Sequence, residues 1–316
     1  MTAAAPARRA GRGGPAGGRQ EALAGYAFIA IPMILFLVLN IGTTLFAFFI
    51  SLWDWNFRSG AEEFLGLANY ERLLTNDVFH IAVRNSLYYT AIWVPLTMAI
   101  GLFLAVIVNQ KIRGQTFFRA AFYFPAVASS AAITVLWIFL LQPDGLFNGI
   151  RGALGLNPLF DALGFDPDQN WFGDPGTAMN SVIVLNAWTT SGTFMLFYLA
   201  SLQSISHDVY EAAAIDGAGP WQAFWKITFP LLKPGHFFVA TVGVIGGLQL
   251  FDQALIAGST NGDPQYALMT VVLYLYNAAF SQFDLGFAAA IGAVLFLIVF
   301  SATLVQRRLF GNTEAA

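Results

Sequence analysis

Glu211 and Asp216 bracket a short alanine-rich stretch, EAAAID, that runs into a Gly-Ala-Gly-Pro break. Two carboxylates on a slim alanine surface can offer charge-assisted hydrogen bonds to an arginine of another protein. The same residues would also suit an ordinary solvated loop, and spacing alone does not separate the two readings. A third carboxylate, Asp252, stands alone inside an apolar run, six residues before Gly258. At about 1.5 Å per helical residue it lies roughly 9 Å from the end of that run. Unpaired in hydrocarbon it would cost about 2.5–3.5 kcal/mol. It therefore has to face a cavity, meet another subunit, or make a packing contact to a backbone amide or a rim arginine. Bond-making chemistry has little support elsewhere. Cysteine is absent and histidine occurs at positions 80, 207 and 236, which excludes disulfides and argues against a His/Cys metal site. Lys111, Lys226 and Lys233 follow Gln110, Trp225 and Leu232, so no Gly-Lys of a phosphate-binding loop exists. With no Ser-His-Asp set or carboxylate pair in the apolar runs, the chain is not expected to be an enzyme.

The elements that must position these residues follow from composition. The chain is 57% hydrophobic and 10% charged, with mean hydropathy +0.63. A soluble domain would carry about 25% charged residues, so lipid is the expected main solvent. Net charge is −3, with no basic run past the N-terminus, and nucleic acid is not an expected partner. A membrane helix needs about 20 apolar residues. Charge-free runs place such helices near 26–52, 85–109, 119–142, 178–203, 236–258 and 285–306. The run 264–283 is interrupted by Asn277, Ser281 and Gln282 and reads as a helix at the outer surface. With six spans and the N-terminus inside, 11 Lys and Arg fall on inner segments and four on outer loops. That asymmetry orients both termini to the cytoplasm. Residues 1–24 read as a disordered basic tail, 25–310 as the transmembrane domain and 311–316 as a short C-terminal tail. The first apolar run exceeds the 7–15 residues of a signal-peptide core, so a retained helix is expected. Loop 143–177 is turn-rich and acidic, a folded surface loop too small for a separate domain.

The segment 208–234 is then an insert on the cytoplasmic side. Asp208 followed by Glu211 has capping-box spacing, Gly217 suits a left-handed helix end, and Pro220 suits the first turn of a second helix. Trp221, Phe224, Trp225 and Thr228 share one face of that helix. Pro230 and Pro234 are expected to stop it before the next span.

The pattern E-A-A-x-x-D-G-A-x(9)-P, carried by Glu211, Ala212, Ala213, Asp216, Gly217, Ala218 and Pro230, resembles the EAA loop of permease subunits of bacterial ABC importers. GLANYERLL (66–74), LQLFDQALIAGSTNGDP (248–264) and LYNAAFSQFDLGFAAAIG (275–292) resemble the binding-protein-dependent sugar permeases, over roughly residues 22–310. Phe229 stands where leucine is more common, and 258–264 departs from the usual T-x-G-G-P. The resemblance implies a type I ABC importer permease fold, all-α and with six spans, in the bacterial cell (inner) membrane. It implies that the 208–234 loop docks in a groove of a cytoplasmic ATPase. Glu211 and Asp216 would make the polar contacts, Gly217 the bend, and Ala212 and Ala213 the close packing. It further implies a second permease subunit as heterodimer partner, two ATPase copies binding the ATP and magnesium that this chain does not bind, and an external solute-binding protein. Twelve carboxylates against four arginines in the outer loops suit docking of that protein. Sugar hydroxyls call for amides, carboxylates and aromatic faces. Asp252, Gln249 and Gln253, with Asn186, Trp188, Thr189, Thr190 and Ser191, are the pathway candidates. The alternative of a different class is an ion-coupled secondary transporter or channel, which would mark its spans with ionisable residues; here Asp252 alone qualifies.

Overall fold

The computed structural model describes residues 17–56, 59–110 and 113–310. Residues 1–16 of the expected basic tail, the expected tail 311–316 and Lys111 lie outside the described residues. Two compact units divide after Phe49. In the first, α1 (Gly17–Phe36) runs through a π-turn at Leu37–Gly42 into α2 (Thr43–Ile50). Helix begins at Gly17, eight residues before the expected domain boundary at 25. The hydroxyls of Thr43 and Thr44 take up the Leu39 and Asn40 carbonyls at the π-turn. Glu21–Ile50 is long and apolar enough to cross a membrane.

The second unit opens with an antiparallel hairpin, β1 (Trp53–Asn56) and β2 (Gly60–Phe64), which an all-α reading does not contain. Its strands are partly or fully exposed along their length, and Gly60 turns at φ +76°. After α3 (Ala68–Leu74), the Asn76 side chain caps α4 (Asp77–Asn109) by accepting from the Phe79 amide. The third expected span, 119–142, is not one helix. It forms α5 (Gln115–Val127) and α6 (Ser130–Leu140), bent by 90°. Pro125 removes an amide from the last turns of α5, and Ala128 and Ser129 are extended.

Loop 143–177 is folded, as its composition suggested. It holds α7 (Leu146–Ala153) and α8 (Asn157–Ala162) around Arg151, which is 2% exposed. The Arg151 guanidinium donates to Asn157 Oδ1 (3.0 Å), Asp166 O (2.7 Å) and Pro167 O, and lies over the Phe160 ring.

Long α9 (Ala178–Gln203) is the centre of the unit. It packs along α4 and also touches α5 and α13. Phe194, Met195 and Tyr198 are fully buried there. A Cβ on Gly192 would stand 2.3 Å from the Phe122 carbonyl, so only glycine lets α5 cross α9 so closely. The insert that follows contains α10 (His207–Ile215), α11 (Pro220–Ala223), a π-turn at Phe224–Thr228 and α12 (Phe229–Leu231). The fifth expected span is interrupted too. It comprises α13 (Lys233–Leu248) and α14 (Asp252–Gly258), with Gln249–Phe251 unwound between them.

The segment read as a helix at the outer surface becomes α15 (Val271–Tyr276) and a π-turn, Asn277–Ser281. It is too short to span, but it is not superficial. Val271, Leu273 and Ala278 are buried, and it packs on α4 and on α16 (Leu285–Phe310). Its dense run of Val, Leu and Tyr explains the burial better than its three polar interruptions explain exposure. By length and composition, five helices can cross a membrane among the described residues, or six if the bent α5–α6 pair counts as one.

Candidate functional site

Where two spans break, they break toward each other. At the end of α13 the amides of Gln249 and Leu250 bond back three residues, and Phe251 sits at φ −137°, ψ −62°. Helix resumes at Asp252, whose carboxylate in the first turn of α14 suits the positive end of the helix dipole. A carbonyl freed in apolar surroundings needs a donor. The Leu250 carbonyl receives one from Thr270 Oγ1 at 2.8 Å, and the same hydroxyl accepts the Leu273 amide (3.2 Å) as the cap of α15. Asn85 of α4 holds the loop ahead of Thr270 by donating to Tyr266 O (2.8 Å) and Met269 O (3.0 Å). The break in α5–α6 meets the other across Gln253 Nε2, which donates to Ser130 Oγ at 2.8 Å.

Two adjoining cavities fill the space between the breaks. One, of about 270 Å³, is lined by Tyr89 and Trp93 of α4, Asn186 and Thr190 of α9, and Gln249 through Gln253. The other, of about 210 Å³, shares Asn186, Thr190 and Gln253 and adds Pro125, Ser130, Thr189 and Thr193. Asn186 Nδ2 donates to Tyr89 Oη at 2.7 Å, and the Tyr89 ring stacks on Trp93 with centroids 5.4 Å apart. Trp93 is 6% exposed, and its indole N–H has no hydrogen-bond partner among the described residues. Asp252 is exposed and makes no hydrogen bond or ion pair there.

Five of the eight pathway candidates, Asp252, Gln249, Gln253, Asn186 and Thr190, therefore share one cavity, and Thr189 lines the adjoining one. Trp188 lines neither. It lies two residues beyond Asn186, on another side of α9, half-exposed and 5.9 Å from the Trp137 ring. Ser191 is buried against the Trp188 carbonyl. The aromatic faces of the cavity belong instead to Tyr89, Trp93 and Phe251. An aromatic pair at i, i+4 in the second span was the available signal for the first two, but lipid-facing aromatics look the same in sequence.

The insert is built differently from its expected capping. Ser206, and not Asp208, is the N-cap of α10; its Oγ accepts the Asp208 amide at 3.3 Å. Glu211 is thereby free of a capping role and pairs with His207 Nδ1 at 3.0 Å, both side chains largely exposed. Gly217 ends the helix at φ +78°, with Gly217 N donating to Ala214 O (3.1 Å) and Ala218 N to Ala213 O (2.9 Å). Those two bonds make a Schellman cap. Ala213 is buried within the chain, whereas Glu211, Ala212, Asp216, Gly217 and Pro230 are exposed. Pro220 does open the second helix, but the π-turn at Phe224–Thr228 shifts its face. Trp221 and Trp225 end up exposed while Thr228 is buried and meets Tyr210 Oη at 3.1 Å. Pro230 and Pro234 lie in the first turns of α12 and α13, beginning helices where they were expected to stop one. His236 joins the insert to the bundle, Nδ1 on Tyr198 Oη (3.0 Å) and Nε2 on Phe229 O (3.3 Å).

Interrupted spans around a polar cavity, with a compact insert at one end of the bundle, define a membrane transport permease. The family model for the binding-protein-dependent transport system inner membrane component matches residues 97–312, and the chain belongs to that family. It is similar to the probable ABC transporter permease protein YurN of Bacillus subtilis, 33% identical over 92% of this chain and 97% of that one. The arabinooligosaccharides transport system permease protein AraP of the same organism is 34% identical over 80% of this chain and 78% of its own. In fold, the chain resembles one from a crystal structure of a bacterial ABC transporter involved in the import of the acidic polysaccharide alginate. The TM-score is 0.75 at 20% identity, covering 92% of this chain and 98% of that one.

Proposed function

We propose that the chain is the permease subunit of an ABC importer that forms the membrane path for a sugar. Supporting this most directly is the cavity between the two broken spans, where amides, hydroxyls and aromatic rings converge in a member of a transport-permease family. Such groups match a saccharide, which presents hydroxyls at its edges and CH groups on its faces. An external solute-binding protein delivers the sugar, and a second permease of similar fold completes the path. Two ATPase copies bind ATP and magnesium and close against the 208–234 insert of this chain. In that role Glu211 and Asp216 face the ATPase groove, Ala212 permits close approach, Gly217 and Pro230 shape the insert, and Ala213 holds it to its own chain. Residues 25–310 form the transmembrane domain, with six spans and both termini cytoplasmic, in the bacterial inner membrane.

The test is reconstitution. Co-expressed with its genomic neighbours and placed in liposomes, the assembly should accumulate a saccharide only with ATP and the binding protein. The subunit purified alone should hydrolyse no ATP. Uptake driven by an ion gradient without ATP would refute the reading in favour of an ion-coupled carrier.

A further inference from the structure

We propose that the cavity selects uncharged over anionic cargo, and that Asp252 is the residue that sets the preference. The inference rests on the cavity being the sugar path. Neither of the two adjoining cavities has a Lys, Arg or His in its wall, and Asp252 is their one carboxylate. That carboxylate is exposed and is neutralised by no cation among the described residues.

The uncharged groups do not make up for the missing cation. Anions are held best by cations, and the donors in this wall are all neutral: the Gln249 amide, the Trp93 indole N–H, and one N–H each of Gln253 and Asn186. Gln253 gives its other N–H to Ser130 Oγ and Asn186 its other to Tyr89 Oη. Both amide oxygens are left as acceptors beside the carboxylate. The cavity therefore offers neutral donors and acceptors together, which suits the hydroxyls of an uncharged saccharide, since each both donates and accepts. A uronate or phosphate would meet repulsion from Asp252 and find no cation in the wall to offset it. Two like charges a few ångströms apart disfavour binding by about tenfold or more at an effective dielectric of about 20.

Charge in the cavity can be read without knowing the cargo, because the chain has no cysteine of its own. Thr190 borders both cavities. In the complete transporter, with cysteine-free partner subunits, Thr190→Cys would be modified with three methanethiosulfonates: sulfonatoethyl, hydroxyethyl and trimethylammonioethyl. Rates would be measured with Asp252 present and in the Asp252→Asn background. The cationic reagent should outpace the anionic one after correction for their rates on a free thiol. Asp252→Asn should reduce that ratio by about tenfold while the neutral reagent changes little. An unchanged ratio overturns the proposal, as does failure of all three reagents to reach the thiol. ATP-driven uptake of a neutral oligosaccharide is followed in parallel on the Asp252 transporter. Its absence counts against the sugar-importer reading, whereas the reagent ratio bears on charge selection.

Discussion

Gly217 offers the sharpest perturbation of the insert, because its surroundings separate conformational strain from steric clash. Its φ is +78°, and a Cβ built on it would meet nothing within 4 Å. Any cost of substitution is therefore the intrinsic cost of the left-handed conformation, and side-chain size as such is irrelevant. For an ordinary L-residue that cost is about 1–2 kcal/mol, and Asn is tolerated better than other side chains. A β-branched side chain is worse again, so Val should exceed about 2 kcal/mol. If the ATPase docks only on the insert with its Schellman cap formed, each 1.4 kcal/mol removes about tenfold of the competent population. Gly217→Asn should then stay close to wild type, Gly217→Ala should lose about fivefold, and Gly217→Val about thirtyfold or more. The readouts are substrate-stimulated ATP hydrolysis in liposomes and retention of the ATPase on affinity purification. Size-exclusion profiles would confirm that each variant is inserted and folded. A Val variant with full stimulation would refute the argument. So would an Asn variant that falls as far as Val, since that would make contact with the glycine surface, and not its φ, the requirement.

Other positions give independent checks. Asp216→Lys reverses an exposed charge next to that cap, and stimulated ATP hydrolysis should drop tenfold or more while the subunit remains in the membrane. Thr270→Val is nearly isosteric but leaves the Leu250 carbonyl without its donor and removes the cap of α15. The expected loss is about 2–3 kcal/mol, read as a lower melting temperature in detergent, whereas Thr270→Ser should recover most of it. Gly192→Leu drives a side chain into the Phe122 backbone. Overpacking costs about 1–3 kcal/mol, so the variant should melt earlier and transport poorly, and Gly192→Ala should do so more mildly.

Hydrocarbon makes some features legible from one dimension alone. A run such as Arg84 to Lys111 has no charge for 26 residues and can do little in lipid except form a helix, which it does as part of α4. The cap at Gly217 was equally readable, because left-handed geometry favours one residue type wherever it occurs. What failed were properties set by partners across the bundle. Pro125 announces a disturbance in the third span, yet kink and right-angle break have the same sequence signature. Nothing at Gln249-Leu250-Phe251 resembles a helix breaker at all. Trp188 and Trp93 are both tryptophans in apolar helices, and only the rotation of each helix puts one beside Trp137 and the other in the cavity.

The unwound stretch and the polar residues around it explain one another. A straight fifth helix would bond its own carbonyls, and the buried Thr270 hydroxyl would then lose its acceptor. Unwinding at Gln249–Phe251 exposes a backbone carbonyl that takes the Thr270 hydroxyl. The loop feeding Thr270 supplies carbonyls for Asn85, and the Val271 amide donates to Ser86 Oγ at 3.1 Å. Each unfavourable choice is thus offset by another lying twenty or more residues away in α4 or next to α15. Irregular backbone at membrane depth persists where it is buried in protein or lines a cavity, and here both conditions hold on opposite sides of one break. The carbonyl side is closed by Thr270. On the open side stand Asp252, Gln249 and Trp93, the groups left with hydrogen-bonding capacity unspent.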